Sequence, residues 1–417
     1  MITIANTLRR VRNLKTFSSF SIPAYRMYFL GMVGQWSSFS MEQVARSYLV
    51  YEITGSAALL GLIAMSGAIP MLILSLFGGA VADRFPKKLL IQLSQVGMTF
   101  VFLIYAVAVN IGYLTPAHPE SWWVLFVGGI IMGIIIALAM PSRASIIPEI
   151  VDRDRLMNAI SLNTMGMSFF QLGGPAIAGY IIAGFGYSSV FYIMAGLNAL
   201  AIIFTSFLPK TMPVQVSHKN VLNDIKLGFT YIKSHRTILF ILLFFVSSVL
   251  LAMPFQMLMP VFAKDILKVG VEGQGTLMSM SGIGAIVASL VLASLPSRRR
   301  GFILLVSNLF MGVALVTFAF SESWTLSLMM MVLVGVGRIG GNTSGNALLQ
   351  THTDPEYLGR VMSIMMLNFG LSGLGTFFAG LLAETISAPW AIGGLAMILI
   401  AISFLALIFM KSFRRLD

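Results

Sequence analysis

The feature that most restricts the fold of this chain is a succession of apolar runs, separated by short polar segments. Each run is about 20 residues or longer, the length at which a helix crosses the hydrocarbon core of a bilayer. A helix also satisfies every backbone N–H and C=O within itself, which an element in lipid must do. About twelve spans are read, at 27–51, 57–82, 89–113, 122–143, 157–184, 188–208, 237–262, 275–296, 301–320, 324–350, 359–383 and 388–411. Composition closes off the soluble alternative. Only 10% of the 417 residues are charged, against about a quarter in a soluble domain, so a polar skin cannot be assembled. The expected fold class is an all-α integral membrane protein.

Charge placement orients the spans. With both termini on one side, seven polar segments share that side and hold all but four of the 27 Lys and Arg residues. Lys264 and Lys268 fall on the other side, and Arg46 and Arg338 lie within spans. An excess of Lys and Arg marks the cytoplasmic side, so both termini are expected in the cytoplasm, in a bacterial inner membrane. The net charge of +12 is then a topology signal facing anionic lipid, and no nucleic-acid partner is expected. Arg9, Arg10, Arg12 and Lys15 are followed by a run long enough to span, not by a signal-peptide core and cleavage site.

Several chemistries are set aside on residue types. There is no cysteine, hence no disulfide, thiolate metal site or cysteine nucleophile. His118, His218, His235 and His352 fall in or near loops without ligand spacing, so no metal is expected. With no nucleophile–base pair and no phosphate-binding glycine loop, an enzyme is not expected, nor a cofactor.

The longest segment on the basic side, 209–236, divides the chain into an N-terminal half at 1–208 and a C-terminal half at 237–417. Within it Val221, Ile225, Phe229 and Ile232 recur at helical spacing, which predicts an amphipathic helix on the membrane surface. The halves echo each other. A shift of 202 superposes Asp152 on Asp354, Leu156 on Leu358, Ser161 on Ser363 and Gly173 on Gly375. Parallel six-helix pseudo-repeats characterise one large transporter class.

The segment GGAVADRFPKKLLI at 78–91 joins the second and third spans. It resembles the signature loop of the major facilitator superfamily, G-x-L-x-D-x-x-G-R-K-x-x-L. Gly79, Asp83, Lys87 and Lys88 match, and Arg84 fits; Val81, Pro86 and Ile91 depart from the pattern. Stretches at 43–64, 145–161 and 259–267 are similar to the branch containing enterobactin exporters and macrolide-efflux proteins. The resemblance implies a twelve-helix transporter that alternates between inward- and outward-open states, with spans 1, 4, 7 and 10 lining a cavity and spans 2, 5, 8 and 11 joining the halves. It also implies a gating latch. Asp83 would sit at the start of the eleventh span, favoured there by the helix dipole, with Arg84 or Lys87 reaching Glu149 or Asp152, and Arg143 joining them. The plainer reading makes these topology charges only. Gly174, Pro175 and Gly179 in QLGGPAIAGY partly match the family's exporter motif; ordinary small-residue packing is the alternative.

Two stripes carry polar groups inside spans. Gln35, Ser38, Glu42 and Arg46 share a face of the first, and Arg338, Asn342, Asn346 and Gln350 a face of the tenth. In the implied fold both look into the cavity, at similar depth. Glu42 has three readings: a structural i,i+4 pair with Arg46, the carboxylate that couples transport to protons, or a ligand for a cationic substrate. Arg338 either binds an anionic or carbonyl-rich group or braces its helix. Met253, Gln256 and Met257 on the seventh span, kinked by Pro254 and Pro260, are expected to give the cavity an adaptable apolar wall. The leading expectation is a monomeric, proton-coupled exporter of amphipathic organic compounds such as drugs, macrolides or siderophores. Lipid or lysolipid movement, or uptake of a metabolite, stands as the alternative.

Overall fold

The computed structural model describes residues 15–211, 221–294 and 299–417. The side chains of 15, 16, 76–80, 82, 83, 221–225, 366 and 369 are not described, so the expectations for Gly79, Asp83, Val221 and Ile225 fall outside it. The described residues form helices and no strand: α1 Pro23–Thr54, α2 Ala57–Arg84, α3 Lys87–Asn110, α4 Trp122–Ile150, α5 Arg153–Ser206, α6 Val221–Ser234, α7 Arg236–Leu251, α8 Phe255–Val261, α9 Gly270–Ser294, α10 Arg300–Ala319, α11 Trp324–His352, α12 Pro355–Ile386 and α13 Ala388–Phe409.

Ten stretches are long and apolar enough to cross a membrane. One of them, α5, has 54 residues, about 80 Å at 1.5 Å per residue and long enough for two passes. It breaks at Gly186, whose φ of 81° favours glycine. Spans 5 and 6 are therefore its two limbs. Helix α1 is a further pass of 32 residues, in which serines, Arg26, Glu42, Arg46 and Glu52 lower the hydropathy. Among the described residues the total is twelve. The seventh span is α7 and α8 together, interrupted at 252–254 where Pro254 precedes α8, and it ends in a π-helical turn, Phe262–Ile266. Asp152 precedes α5 and Asp354 precedes α12 with near-identical backbones (φ −60°, ψ 150° and φ −58°, ψ 139°). These are two of the positions paired by the shift of 202.

Two seams join spans 1–6 to spans 7–12. One is α2 against α12, the other the first limb of α5 against α9. Small residues set how closely the backbones approach. A Cβ on Gly275 would stand 2.3 Å from the Pro175 carbonyl oxygen, and one on Gly373 would stand 2.1 Å from the Ala68 Cβ. Beside Pro175 the Ala176 N–H donates to Ser279 Oγ across the seam, at 3.2 Å.

The seams are shut at the end away from the basic loops. There Glu384 Oε2 accepts from the Ala57 and Ala58 N–H groups at 2.8 and 3.2 Å and from the Ser56 hydroxyl at 3.2 Å. Tyr51 donates to Asp265, and Gln274 Nε2 donates to Ser47 Oγ at 2.9 Å. Toward the basic side the contacts thin out among the described residues. Gly370 still meets Leu72, whereas a Cβ on Gly359 would meet nothing within 4 Å. Met157, Met165, Phe169, Leu290 and Val291 on the two facing helices are all more than half exposed. The cleft between the halves opens on the basic side.

Helix α6, where the amphipathic helix is expected, packs against the second half. Phe229 is exposed, while Gly228, Tyr231 and Ile232 are buried. The reason is docking on α12: the Tyr231 and Tyr357 rings stack with centroids 4.2 Å apart, and the Tyr231 hydroxyl donates to Asp354 Oδ2 at 3.0 Å.

Candidate substrate site

A pocket enclosing about 530 Å³, open mouth included, lies where the seams begin to part. Helix α1 supplies Phe39, Ser40 and Gln43, and α5 supplies Gln171 and Pro175. From the other half come Phe255 and Gln256 of α8, Met278, Ser281 and Gly282 of α9, and Arg338 of α11. Spans 1, 5, 7, 8 and 10 therefore build it; span 4 does not contribute, and spans 5 and 8 do. The cause is the close α5–α9 seam, which carries both helices to the cavity axis.

Helix rotation decides which side chains arrive. Arg338 and Gln256 line this pocket. Asn342 and Asn346 continue the Arg338 stripe toward the basic side, with Asn342 exposed and Asn346 Nδ2 donating to Asn342 Oδ1 at 2.7 Å. Met253 and Met257 pack against the apolar core and do not line the pocket.

The first-span stripe is the main correction. Gln35, Ser38 and Glu42 are buried among the helices of their own half, not in the pocket. Ser38 Oγ donates to the Met194 carbonyl at 3.2 Å, on the second limb of α5. Glu42 pairs with Arg46. Arg46 Nη1 lies 2.7 Å from where a Gly129 Cβ would be, on α4. Glu42 therefore does not face Arg338. Close packing of α1 on α5 fixes this rotation, since a Cβ on Gly34 would stand 2.4 Å from the Leu197 carbonyl oxygen. The neighbouring face, with Phe39, Ser40 and Gln43, turns to the pocket. Its only sequence signal is the i,i+4 pair Phe39 and Gln43, which the stronger charges of the adjacent face obscure.

The basic end of the N-terminal half holds the remaining expected residues. Lys87 pairs with Glu149. Lys88 instead caps the end of α5, its Nζ donating to the Ser206 and Leu208 carbonyls at 2.7 and 2.6 Å. Arg143 Nη2 donates to Ser94 Oγ at 3.1 Å, and among the described residues it makes no ion pair. Arg84 is exposed, and Asp152 stands exposed at the start of α5. Gly174, Pro175 and Gly179 are all buried on the α5 face turned toward α1 and α9. A Cβ on Gly174 would stand 2.0 Å from Ser40 Oγ, and one on Gly179 would stand 2.6 Å from the Val271 carbonyl oxygen.

The family model described as Major Facilitator Superfamily matches residues 27–375. The chain belongs to the Major Facilitator Superfamily. This superfamily member is 26% identical over 389 residues to the staphyloferrin A transporter of Staphylococcus aureus (strain NCTC 8325 / PS 47), covering 90% of this chain and 93% of that protein. It is 24% identical over 344 residues to the enterobactin exporter EntS of Shigella boydii serotype 4 (strain Sb227), covering 81% and 80%. The crystal structure of nucleoside transporter NupG shares its fold, with a TM-score of 0.71 over 96% of this chain and 99% of that one, at 18% identity. The chain is a multi-pass membrane transporter of this superfamily.

Proposed function

We propose that this transporter exports amphipathic organic compounds in exchange for protons, by alternating access to the Arg338 pocket. The observation that carries the reading is the pocket itself. It is shared by both halves, open on the basic side, and shut on the far side by a few hydrogen bonds that a rocking motion can break. An amphipathic cargo fits the lining, in which Phe39, Phe255, Pro175 and Met278 stand beside Gln43, Gln171 and Gln256. Export is supported by the likeness to the enterobactin exporter and by Gly174, Pro175 and Gly179, which sit on the seam that must open.

Glu42 is the carboxylate for proton coupling, and Arg46 the partner it exchanges. The pair is buried in the N-terminal half, and its position beside the helices that frame the cleft lets a change in their packing alter its surroundings. The Lys87–Glu149 pair, with Asp83 in the same loop, belongs to the gate on the basic side. In a bacterial inner membrane that side is cytoplasmic, and the chain works as a monomer with the proton gradient as its energy source.

Inside-out vesicles with an acidified lumen and a luminal pH dye test the reading, using a panel of catechol siderophores, macrolides and cationic dyes. Luminal alkalinisation on adding one compound, lost in Glu42→Gln, is the expected result. Absence of proton flux with every compound would replace export with uptake or lipid movement. Flux that survives Glu42→Gln would leave Glu42 a structural partner of Arg46.

A further inference from the structure

We propose that the pocket selects its cargo by charge: it takes compounds whose headgroup is an oxyanion, a carboxylate or catecholate, on an apolar body, and rejects organic cations. The inference deepens the function proposed above and rests on this pocket being the transport site.

The lining carries one ionisable side chain, Arg338, and no acid. A guanidinium at that depth costs several kcal/mol, so membrane proteins pair it with an acid or with carbonyls. Among the described residues the acids of α1 are already used: Glu42 pairs with Arg46 on the face next to the pocket-facing one, and Glu52 accepts from the Tyr187 hydroxyl. Arg338 Nε is buried and has no hydrogen-bond partner. Asn342, one turn along, spends its side-chain oxygen on Asn346. Among the described residues the Arg338 charge therefore has no counterion.

The rest of the lining specifies what completes it. A guanidinium presents its N–H groups as a planar fork, which matches two oxygens of one carboxylate or catecholate. Gln43, Gln171 and Gln256 lie around it, two from one half and one from the other. Each offers both a donor and an acceptor to ester, amide or hydroxyl oxygens. Phe39, Phe255 and Met278 supply the wall for an apolar or aromatic body. An ammonium would meet like charge and find no acid, which is discrimination by repulsion as much as by attraction.

The test uses the full chain in lipid nanodiscs and two fluorescent amphiphiles with the same dansyl body, the dicarboxylate dansyl-glutamate and the amine dansyl-cadaverine. Equilibrium binding is read by fluorescence with wild type, Arg338→Gln and Arg338→Lys. The expected result is saturable binding of dansyl-glutamate at least about tenfold tighter than of dansyl-cadaverine, the scale of one charged hydrogen bond. Arg338→Gln removes that preference, and Arg338→Lys restores part of it. The wild-type comparison needs no variant, so misfolding of a mutant cannot blunt the test. Equal binding of the two probes, tighter binding of the amine, no saturable binding of either, or an unchanged preference in Arg338→Gln each overturns the proposal. Equilibrium binding has no direction and needs no gradient, so charge selectivity can fail while proton-driven export stands, and the reverse.

Discussion

Gly128 and Gly129 are neighbours on α4 that make room for polar groups arriving from other helices. A Cβ on Gly128 would lie 1.9 Å from the Tyr105 hydroxyl. One on Gly129 would lie 2.1 Å from Ser66 Oγ and 2.7 Å from Arg46 Nη1. The space for the Glu42–Arg46 pair is thus built from absent side chains, and the pair answers the cost of each charge with the other. Removing one partner leaves a buried charge, so Glu42→Gln is expected to destabilise by about 3 kcal/mol. Arg46→Gln should behave similarly, and the double variant should lose less than the two singles summed. Thermal unfolding in detergent measures this; strict additivity would mean that the pair is not coupled. Gly129→Ala is expected to cost about 1–3 kcal/mol by overpacking. Gly184→Ala is its control, since a Cβ there would meet nothing within 4 Å. A similar unfolding temperature for the two variants would show that Gly129 is not needed for clearance.

At the scale of elements, Glu384 of α12 caps the N-terminus of α2 from the other half of the molecule. The helix has its own cap, Ser56 Oγ accepting from the Leu59 N–H at 3.2 Å, so the carboxylate adds a charge at the positive end of the dipole. That arrangement favours far-side closure by about 0.3–1 kcal/mol. Glu384→Gln keeps an acceptor and loses the charge, and should raise the far-open population up to about fivefold. The chain has no cysteine, so Gln43→Cys is a clean reporter in the pocket. Its labelling by a membrane-impermeant maleimide from the far side should accelerate in the Glu384→Gln background. An unchanged rate would remove Glu384 from the closure. Neither this cap nor the orientation of α1 is legible in the sequence. Apolar run length and the bias of Lys and Arg disclose the spans and the basic side, because both act residue by residue. Arg338 is legible because a charge in mid-span has few tolerable settings. Gln43 and Gln171 are not, because the rotation of a helix follows from backbone contacts such as Gly34 against Leu197, which a polarity pattern does not specify. On α1 two faces are polar, and the more charged one turns away from the pocket.

The whole molecule is asymmetric in how its ends are held. Among the described residues the far end carries hydrogen bonds between the halves at three places, through Glu384, Asp265 and Gln274. Near the basic end, α6 is fastened to α12 through Tyr231, Tyr357 and Asp354. That fastening ties the segment between the halves to the second half, and the proposed rocking would turn α1–α5 against α7–α13 about the seam at Pro175 and Gly275. If transport is this tilt, a tether across the far end should stop it without touching the pocket. Ser56 Oγ and Glu384 Oε2 are 3.2 Å apart in an exposed position, so Ser56→Cys with Glu384→Cys brings two thiols within reach of a short bifunctional crosslinker. The reduced pair lacks the cap and should resemble Glu384→Gln, with faster far-side labelling of the pocket. The crosslinked pair should lose transport altogether while binding ligand from the basic side with unchanged affinity, because the cleft on that side is already open. Transport that continues through the crosslink would show that the far end does not part during the cycle. Loss of binding as well as transport would place the effect of the tether in the pocket instead of in the tilt.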